Sequence, residues 1–359
     1  MPFFRDEHSS LHYLVRGQGE PLLLIHGLGG CGADWVFQVA ALERRFRVIV
    51  PDLPGYGHSP PPRDEYTIGG FATTLWSLLD HLGVERTNII GFSMGGAVAL
   101  EMAARRPSCV PRLGLINSLA TYRPDHWRKW LETYVSATLV KLFGMQRAAW
   151  LLAARLFPEP WQRALRRHAA AAVGAVPASS YLGAGFALAR WAIVDRLDRL
   201  TSRILLIAAE HDFTPLEEKR ALAARLNADL VVVRGSRHGT PFDSVEATNA
   251  SLLALLTDQA LPPRSRWVRD TPKSALSLSL IGSIAEEHAM SRRAAMQAVR
   301  RQSVQPRPAL NAASMSSSSG LSDSALSPSI SRHFSAVMGR ANRNPCPTVQ
   351  PSRRKISAC

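Results

Sequence analysis

The chain has few of the features that mark specialised protein classes. Four cysteines in 359 residues, none in a CxxC spacing, argue against a disulfide framework and a structural zinc site. No apolar run approaches the roughly 18 residues that a membrane span requires. The N-terminus lacks the basic and then apolar regions of a secretory signal. We therefore expect a cytoplasmic location, no membrane span, no metal and no cofactor.

Acidic residues are scarce relative to basic ones, and the formal net charge is +15. Such a charge is typical of proteins that bind nucleic acid or an anionic surface. However, residues 264–359 hold 15 Lys and Arg against 4 Asp and Glu, so a net charge of +11 belongs to this segment. No zinc finger, helix-turn-helix or aromatic RNA-binding signature accompanies the charge. We expect no nucleic-acid partner, and binding through the basic tail is kept as the alternative of another class.

The last 96 residues also differ in composition. Residues 264–359 contain 20 serines, whereas the preceding 263 residues contain 14. A segment this polar cannot bury enough apolar surface to offset its chain entropy. The sequence therefore predicts a disordered basic tail rich in Ser, Pro and Arg, which begins after Pro262 and Pro263.

The first 263 residues alternate short apolar runs with helical patterns. Short, continuous runs rich in β-branched residues are typical of parallel strands that are buried on both faces. Regular alternation of strands and helices predicts an α/β fold, with a mostly parallel central sheet and helices on both faces. The predicted strands are Leu22–Ile25, Val48–Val50, Asn88–Ile90, Leu113–Ile116, Ile204–Ile207 and Leu230–Val233, and the predicted helices are Ile68–Leu82, Met94–Arg106, Leu216–Leu226 and Val245–Leu256.

The alternation is interrupted between residues 119 and 200, where no strand pattern occurs. Helical patterns there include an apolar stripe over Trp127–Leu142 and further pieces near Ala148–Leu156, Pro160–Val173 and Ser179–Val194. We predict a helical cap at 119–200, inserted into an α/β core formed by residues 1–118 and 201–260. Five of the eight tryptophans lie in this segment. They either pack the cap onto the core or form an apolar wall over a substrate cleft.

The strongest local motif is Gly91-Phe-Ser-Met-Gly95, a GxSxG sequence. It follows an apolar strand and precedes a helix of small residues, which is the context of a strained turn that exposes a nucleophilic serine. Such a turn lies at the carboxyl end of the sheet, where open α/β folds bind ligands. Ser93 is therefore the predicted nucleophile.

A serine hydroxyl needs a neighbouring base, and the base needs an acid that orients it. His238 follows the last predicted strand, and Asp212 follows the preceding one, so both lie at strand ends. The order Ser93, Asp212, His238 is the order expected on this scaffold. We predict these three residues as the catalytic triad.

Other acids compete with Asp212 for the orienting role. Glu210 should point to the opposite side if its strand continues, and Asp243 is expected to be the N-cap of the last helix. Asp195 and Asp198 lie where the predicted cap ends. Position favours Asp212.

Acyl chemistry also needs donors for a developing oxyanion. The loop after the first predicted strand, His26-Gly-Leu-Gly-Gly30, is rich in glycine and can turn its N–H groups toward the serine. We predict the backbone N–H groups of Leu28 and Met94 as the oxyanion hole. His26 is predicted to anchor the loop.

Together, His26–Gly30, Asp52–Ser59, Gly91–Gly96, Asp212 and His238 resemble the α/β-hydrolase fold family over about residues 10 to 258. The resemblance implies an eight-stranded core, a cap inserted after the sixth strand, and a serine hydrolase that acts on esters or related acyl bonds. It also implies that Asp52–Ser59 shapes a turn. Members of the family that open epoxides or displace halide carry aspartate at the nucleophile position, so Ser93 argues against both activities.

The predicted function is therefore a carboxylesterase-like serine hydrolase that forms an acyl-enzyme with a small, largely apolar substrate. Thioester, lactone and carbon–carbon hydrolysis and perhydrolysis use similar residues. The sequence leaves these alternatives, the acyl and leaving groups, and the oligomeric state open.

Overall fold

The computed structural model describes residues 3–5, 10–124 and 127–261, without the side chains of 127–130, 132, 133 and 136. The predicted tail at 264–359 lies outside the described residues. Within them, no single helix is long and apolar enough to cross a membrane, although one pair bent by 96°, Pro160–Gly174 with Ala178–Arg190, passes a test of length and composition.

The described residues form one sheet of eight strands in the order β1-β2-β4-β3-β5-β6-β7-β8. Strands β3 to β8 form only parallel pairs with one another. The pairs β1–β2 and β2–β4 are antiparallel. The strands are β1 (Phe3–Arg5), β2 (Ser10–Arg16), β3 (Glu20–Ile25), β4 (Phe46–Pro51), β5 (Asn88–Phe92), β6 (Arg112–Ile116), β7 (Arg203–Ala209) and β8 (Asp229–Val233).

Helices cover both faces of the sheet. Alternate strand residues divide between two apolar clusters: Leu23 and Ile89 belong to one, and Leu24 and Ile90 to the other. The α-helices are α1 (Val36–Leu42), α2 (Ile68–His81), α3 (Met94–Arg105), α4 (Trp127–Leu156), α5 (Arg163–Gly174), α6 (Ala178–Arg190), α7 (Leu216–Arg225), α8 (Thr240–Asp243) and α9 (Val245–Leu256), and 3₁₀ helices span Gly32–Trp35, Pro107–Cys109, Pro160–Gln162 and Val194–Arg199.

The six predicted parallel strands and the predicted fold class are confirmed. The strands β1 and β2 were not predicted from continuous apolar runs, because one face of this edge carries polar side chains. In β2 only alternate residues, Leu11 and Tyr13, are buried, which is the period-two pattern of a strand with one buried face.

The helices α4, α5 and α6 lie between β6 and β7 in the chain, where the sequence predicted helices and no strand. Gly144 interrupts α4 with a φ of 77°, and α6 ends at Arg190, four residues before the predicted end. The two ends of this helical segment meet, because Thr121 bridges Ala192 and the Ile193 N–H donates to the Ala120 carbonyl at 2.9 Å. The division into core and cap at 119–200 stays a prediction.

The buried carboxylate of Glu101 on α3 binds residues at the C-terminal end of the helical segment. Glu101 is 3% exposed and accepts hydrogen bonds from both terminal nitrogens of Arg196, at 3.1 and 2.8 Å. It also accepts from the indole of Trp191 at 3.2 Å and from Arg105 at 2.9 Å. Trp191 therefore packs and anchors the segment, which is one of the two roles predicted for its tryptophans.

The start of α3 lies against the carboxyl end of β3. A Cβ atom built on Gly95 would lie 2.1 Å from the carbonyl oxygen of Ile25 and 2.6 Å from that of His26. Both neighbours are backbone atoms of the sheet edge, which cannot move as a flexible side chain can. Only glycine therefore permits the approach that sets the position of α3.

We predict that Gly95→Ala lowers the free energy of unfolding by about 3 kcal/mol, because the methyl group must displace backbone. Urea unfolding measures the change. The matched control is Gly185→Ala in α6, where the nearest atom to an added Cβ, Leu28 Cδ2, is 3.8 Å away. This variant should keep or slightly raise stability, since alanine favours the helix. Equal stability of the two variants would contradict the packing argument.

Candidate active site

Ser93 lies at the turn between β5 and α3 with φ 53° and ψ −117°, a left-handed conformation that side chains rarely adopt. Its N–H donates to the Ile116 carbonyl at 2.9 Å, and its carbonyl accepts from the Gly96 N–H at 2.9 Å and the Ser118 hydroxyl at 3.0 Å. The turn is thus held from β6 and from α3. Ser93 lies directly after β5, at the carboxyl end of that strand, and lines a cavity.

The structure brings the three predicted triad residues together. His238 Nδ1 lies 2.8 Å from Asp212 Oδ1, and His238 Nε2 lies 2.9 Å from Ser93 Oγ. An ionised carboxylate only accepts hydrogen bonds, so Nδ1 carries the proton and Nε2 accepts from the serine hydroxyl. Ser93 and His238 are 9% and 7% exposed. This is the arrangement in which an imidazole can take the serine proton.

The side chain of Asp212 is fully buried and has three side-chain partners. Besides His238, it accepts from the hydroxyl of Thr214 at 2.7 Å and from the ammonium group of Lys219. Burial alone would raise the pKa of Asp212, but the hydrogen bonds and charges of His238 and Lys219 hold this pKa well below its usual range. The carboxylate is therefore ionised at neutral pH. Lys219, whose side chain is 1% exposed, was missed by the sequence analysis.

The competing acids lie elsewhere. The Glu210 carboxylate accepts from the Gly235 N–H at 2.8 Å. Asp243 was predicted to be the N-cap of the last helix, and this was wrong: it is the last residue of α8, and Ser244 is the N-cap of α9. The Asp243 carboxylate accepts instead from the hydroxyls of Ser236 and Ser244 at 2.7 and 2.9 Å, which fixes the loop before His238. Asp195 lies in a 3₁₀ helix near α3.

Asn117, another residue that the sequence analysis missed, connects the strand ends. Its side-chain nitrogen donates to the His238 carbonyl at 2.8 Å and to the Thr240 hydroxyl at 2.7 Å, and its oxygen accepts from the Ala209 N–H at 2.8 Å. Asn117 has a φ of 50° and directly follows β6. A polar residue that ends a buried strand was the available signal. The residue holds the histidine loop against β7.

The predicted oxyanion donors lie beside the serine. Leu28 lines the same cavity as Ser93, and Met94 is the first residue of α3. Among the described residues, neither backbone N–H has an acceptor. His26 anchors its loop, as predicted: it is fully buried, accepts from the Leu53 N–H at 3.0 Å and donates to the Gly27 carbonyl at 2.9 Å.

A cavity of about 210 Å³ opens above Ser93 and His238. Its wall comes from the glycine loop after β3, from the strand ends and from the helices α4, α5 and α6. No tryptophan contributes to it in the part of the chain that the structure describes, so its apolar character comes from other side chains. These include Phe92, Tyr122, Leu152, Leu156, Phe157, Leu165, Ala169, Ala172, Val173, Tyr181, Leu188, Phe213 and Phe242.

His168, which the sequence analysis did not single out, also lines the cavity. It lies three residues after Leu165 and four before Ala172, which both line the same cavity. This spacing places the three residues on one face of α5, and the face was the signal that could have identified His168.

One group of metal-ligand side chains exists in the described residues, formed by His12, Asp52 and His58 with ligand atoms within 4.8 Å of one another. The Asp52 carboxylate accepts from the Gly32 N–H at 2.7 Å, the His58 N–H at 2.9 Å and His12 Nδ1 at 2.8 Å. These bonds hold the turn after β4 to the loop after β3. The geometry supports the structural role that was expected of Asp52–Ser59.

We predict that Asp212→Asn lowers the free energy of unfolding at pH 7 by about 3–5 kcal/mol, because Lys219 loses its buried counter-charge. The pKa of Asp212 is lowered in the folded state, so its stabilisation is complete above about pH 5 and is lost as the pH falls. The difference between wild type and variant should therefore shrink between about pH 5 and pH 3. Urea titrations at several pH values measure it.

The matched control for this prediction is Asp64→Asn, which changes an exposed acid. Its stability should follow that of the wild type throughout the pH range. If the difference in free energy of unfolding between wild type and Asp212→Asn stayed constant down to pH 3, this would contradict an ionised Asp212 in the folded protein.

Comparisons with known proteins agree with this architecture. The sequence model of the alpha/beta hydrolase fold matches residues 20–245. A relative from Stutzerimonas stutzeri, named "Putative carbamate hydrolase RutD", is 32% identical over 263 residues, which cover 69% of this chain and 97% of the relative.

Solved structures give the same result. A hydrolase from Pseudomonas aeruginosa is 27% identical with a TM-score of 0.64, covering 71% of this chain and 97% of that chain. A thermophilic esterase from Thermogutta terrifontis is 26% identical with a TM-score of 0.62, covering 70% and 94%. These matches support a hydrolase, and the chain belongs to the α/β-hydrolase fold family.

Proposed function

We propose that the protein is a serine hydrolase that cleaves an ester or related acyl bond through an acyl-enzyme on Ser93. The observation that carries the proposal is the continuous hydrogen-bond chain from Ser93 through His238 to Asp212, at the floor of an apolar cavity. A serine, a base within 2.9 Å and an orienting carboxylate are the components of nucleophilic acyl transfer.

In the proposed first half-reaction, Ser93 Oγ attacks the acyl carbonyl while His238 Nε2 takes its proton. The imidazolium is stabilised by Asp212, which accepts from Nδ1. The N–H groups of Leu28 and Met94 would donate to the oxyanion, since they have no acceptor within the described chain. His238 then donates the proton to the leaving group as the bond to the acyl carbon breaks.

In the second half-reaction, a water molecule gives its proton to His238 and attacks the acyl-enzyme. The tetrahedral intermediate collapses, Ser93 Oγ recovers the proton and the carboxylic acid leaves. The same residues therefore serve both halves. Phe92 and Phe213 support the imidazole that moves these protons, with ring centroids 5.2 and 4.1 Å from that of His238.

The cavity supports a small substrate with a largely apolar acyl or alcohol group. Its side chains are aliphatic and aromatic over most of the surface, and burial of apolar area is the main source of affinity that such a wall offers. The similarity to a relative named for carbamate hydrolysis adds carbamates to the esters, thioesters and lactones that should be tested.

We predict that a fluorophosphonate probe labels the wild type at one site and does not label Ser93→Ala. Turnover of p-nitrophenyl esters should fall by several orders of magnitude in Ser93→Ala and His238→Ala, and by about 10⁴ in Asp212→Asn. Mass spectrometry locates the label. Ser108→Ala, which changes an exposed serine outside the triad, is the control and should still be labelled.

Absence of label on folded wild-type protein, or equal labelling of Ser93→Ala, would contradict the proposal. A panel of esters of increasing chain length, with a thioester, a lactone and a carbamate, then measures how much acyl chain the cavity accepts.

Lys219 should support this triad through its contact with Asp212. Its ammonium group contacts Asp212 Oδ2, on the opposite oxygen from His238. Part of the negative charge of Asp212 is therefore neutralised before the imidazole is protonated. The cation therefore helps to keep the buried carboxylate ionised, and so able to accept from His238 Nδ1.

We predict that Lys219→Met lowers the free energy of unfolding at pH 7 by about 3–5 kcal/mol, because Asp212 loses its buried counter-charge. Lys219→Arg, which keeps the charge, should retain more of the stability. The control is Arg220→Met, which removes the neighbouring exposed cation and should unfold as the wild type does. Urea unfolding measures the changes, and equal stability of Lys219→Met and the wild type would contradict the role of the ion pair.

A further inference from the structure

The positive charge of the first 263 residues is concentrated in the helical segment between β6 and β7. Residues 127–190 contain nine Lys and Arg but two Asp and Glu, a net charge of +7. The rest of residues 1–263 contains 19 basic and 22 acidic residues, a net charge of −3. The helices that cover the cavity are thus cationic, whereas the sheet and its own helices are slightly anionic.

The same segment exposes most of the large apolar side chains. Of ten exposed large hydrophobic residues in the described part of the chain, seven lie on α4, and Leu142 and Leu151 are 71% and 61% exposed. Single exposed apolar residues are common, but such a concentration on α4, on both sides of its interruption at Gly144, marks an interaction surface. The seven residues are Leu131, Tyr134, Val135, Leu142, Phe143, Trp150 and Leu151.

Cations share the exposed side of α4 with these residues. Lys141, Arg147 and Arg155 are exposed, and Arg147 precedes Trp150 and Leu151 by three and four residues, which places them together on the helix surface. No acidic residue occurs between Glu132 and Glu159. A helix with exposed apolar and basic side chains and few acids is typical of binding to the surface of an anionic bilayer.

Charge favours an anionic lipid surface over two other occupants. In a symmetric pair of copies the α4 faces would meet each other, and their cations would repel. The C-terminal segment 264–359 carries a net charge of +11 and would be repelled in the same way. Anionic lipids supply both an apolar phase for Leu142 and Leu151 and a counter-charge for the cations.

We propose that the exposed side of α4 binds the surface of bilayers that contain anionic lipids. The opposite side of the same helix carries Leu152 and Leu156, which line the cavity above Ser93. A bilayer on α4 would therefore lie one helix away from the cleft, where it could supply apolar esters. This last consequence rests on the proposed hydrolase function, whereas the binding itself does not.

The test is flotation of the full-length protein with vesicles, without substrate. Vesicles of phosphatidylcholine alone are compared with vesicles in which phosphatidylserine replaces part of it. The wild type should float with the phosphatidylserine vesicles and remain largely unbound to the neutral ones. Binding should weaken as salt is added, because surface charges are screened.

Two double variants test α4 directly. Leu142→Gln with Leu151→Gln should weaken binding by about tenfold or more, because two apolar side chains no longer enter the bilayer. Lys141→Glu with Arg147→Glu should weaken it at least as much. The matched controls are Phe3→Gln and Arg44→Glu, which change an exposed apolar residue and an exposed cation away from α4. Both controls should bind as the wild type does.

Failure of the wild type to bind phosphatidylserine vesicles would overturn the proposal. So would unchanged binding of both α4 variants, because the basic segment 264–359 would then be responsible. The proposal would also be overturned if the wild type did not bind vesicles but formed dimers that the α4 variants abolish. The exposed side of α4 would then bind a second copy of the chain. Fluorophosphonate labelling of the same samples reports separately on Ser93, so loss of the hydrolase proposal and loss of this one are distinguishable.

Discussion

The close approach of α3 to the sheet edge is the constraint on which the candidate site depends. Ser93 occupies a left-handed conformation because the chain must reverse between β5 and α3 without room for side chains. Gly91 and Gly95 provide that room: a Cβ on either would lie 2.3 Å or less from a backbone oxygen. The glycines therefore determine where the hydroxyl stands, and Ile116 and Ser118 hold the turn from β6.

A second constraint is the burial of charge beside that turn. The Asp212 carboxylate is inaccessible to water and keeps its negative charge because Lys219, Thr214 and His238 surround it. The arrangement joins the loop after β7 to the first turns of α7 and to the loop after β8. Orientation of the imidazole and stability of this end of the sheet are therefore coupled, which is common where a buried ion pair supports a reactive group.

Much of the core could be predicted from the sequence because its signals are local. Continuous apolar runs identify β3 to β8, and the GxSxG motif in its strand–helix context identifies Ser93. Signals that depend on distant partners were missed or left open. Lys219 is one charged residue among several on α7, and Asn117 has no motif. From the sequence alone, packing of the tryptophans could not be distinguished from a role in lining the cleft. In the described residues the apolar cavity wall consists of aliphatic side chains, phenylalanine and tyrosine.

By itself the sequence determined the parallel sheet, the order of Ser93, Asp212 and His238 along the chain, and the helical segment between β6 and β7. These features follow from the periodicity and residue type of short segments. Only the tertiary structure decided which acid meets the imidazole, which cation meets that acid, and which helix faces close the cavity. Such contacts join residues far apart in the chain (145 positions separate Ser93 from His238), and only packing of the whole sheet and its helices brings them within hydrogen-bond distance.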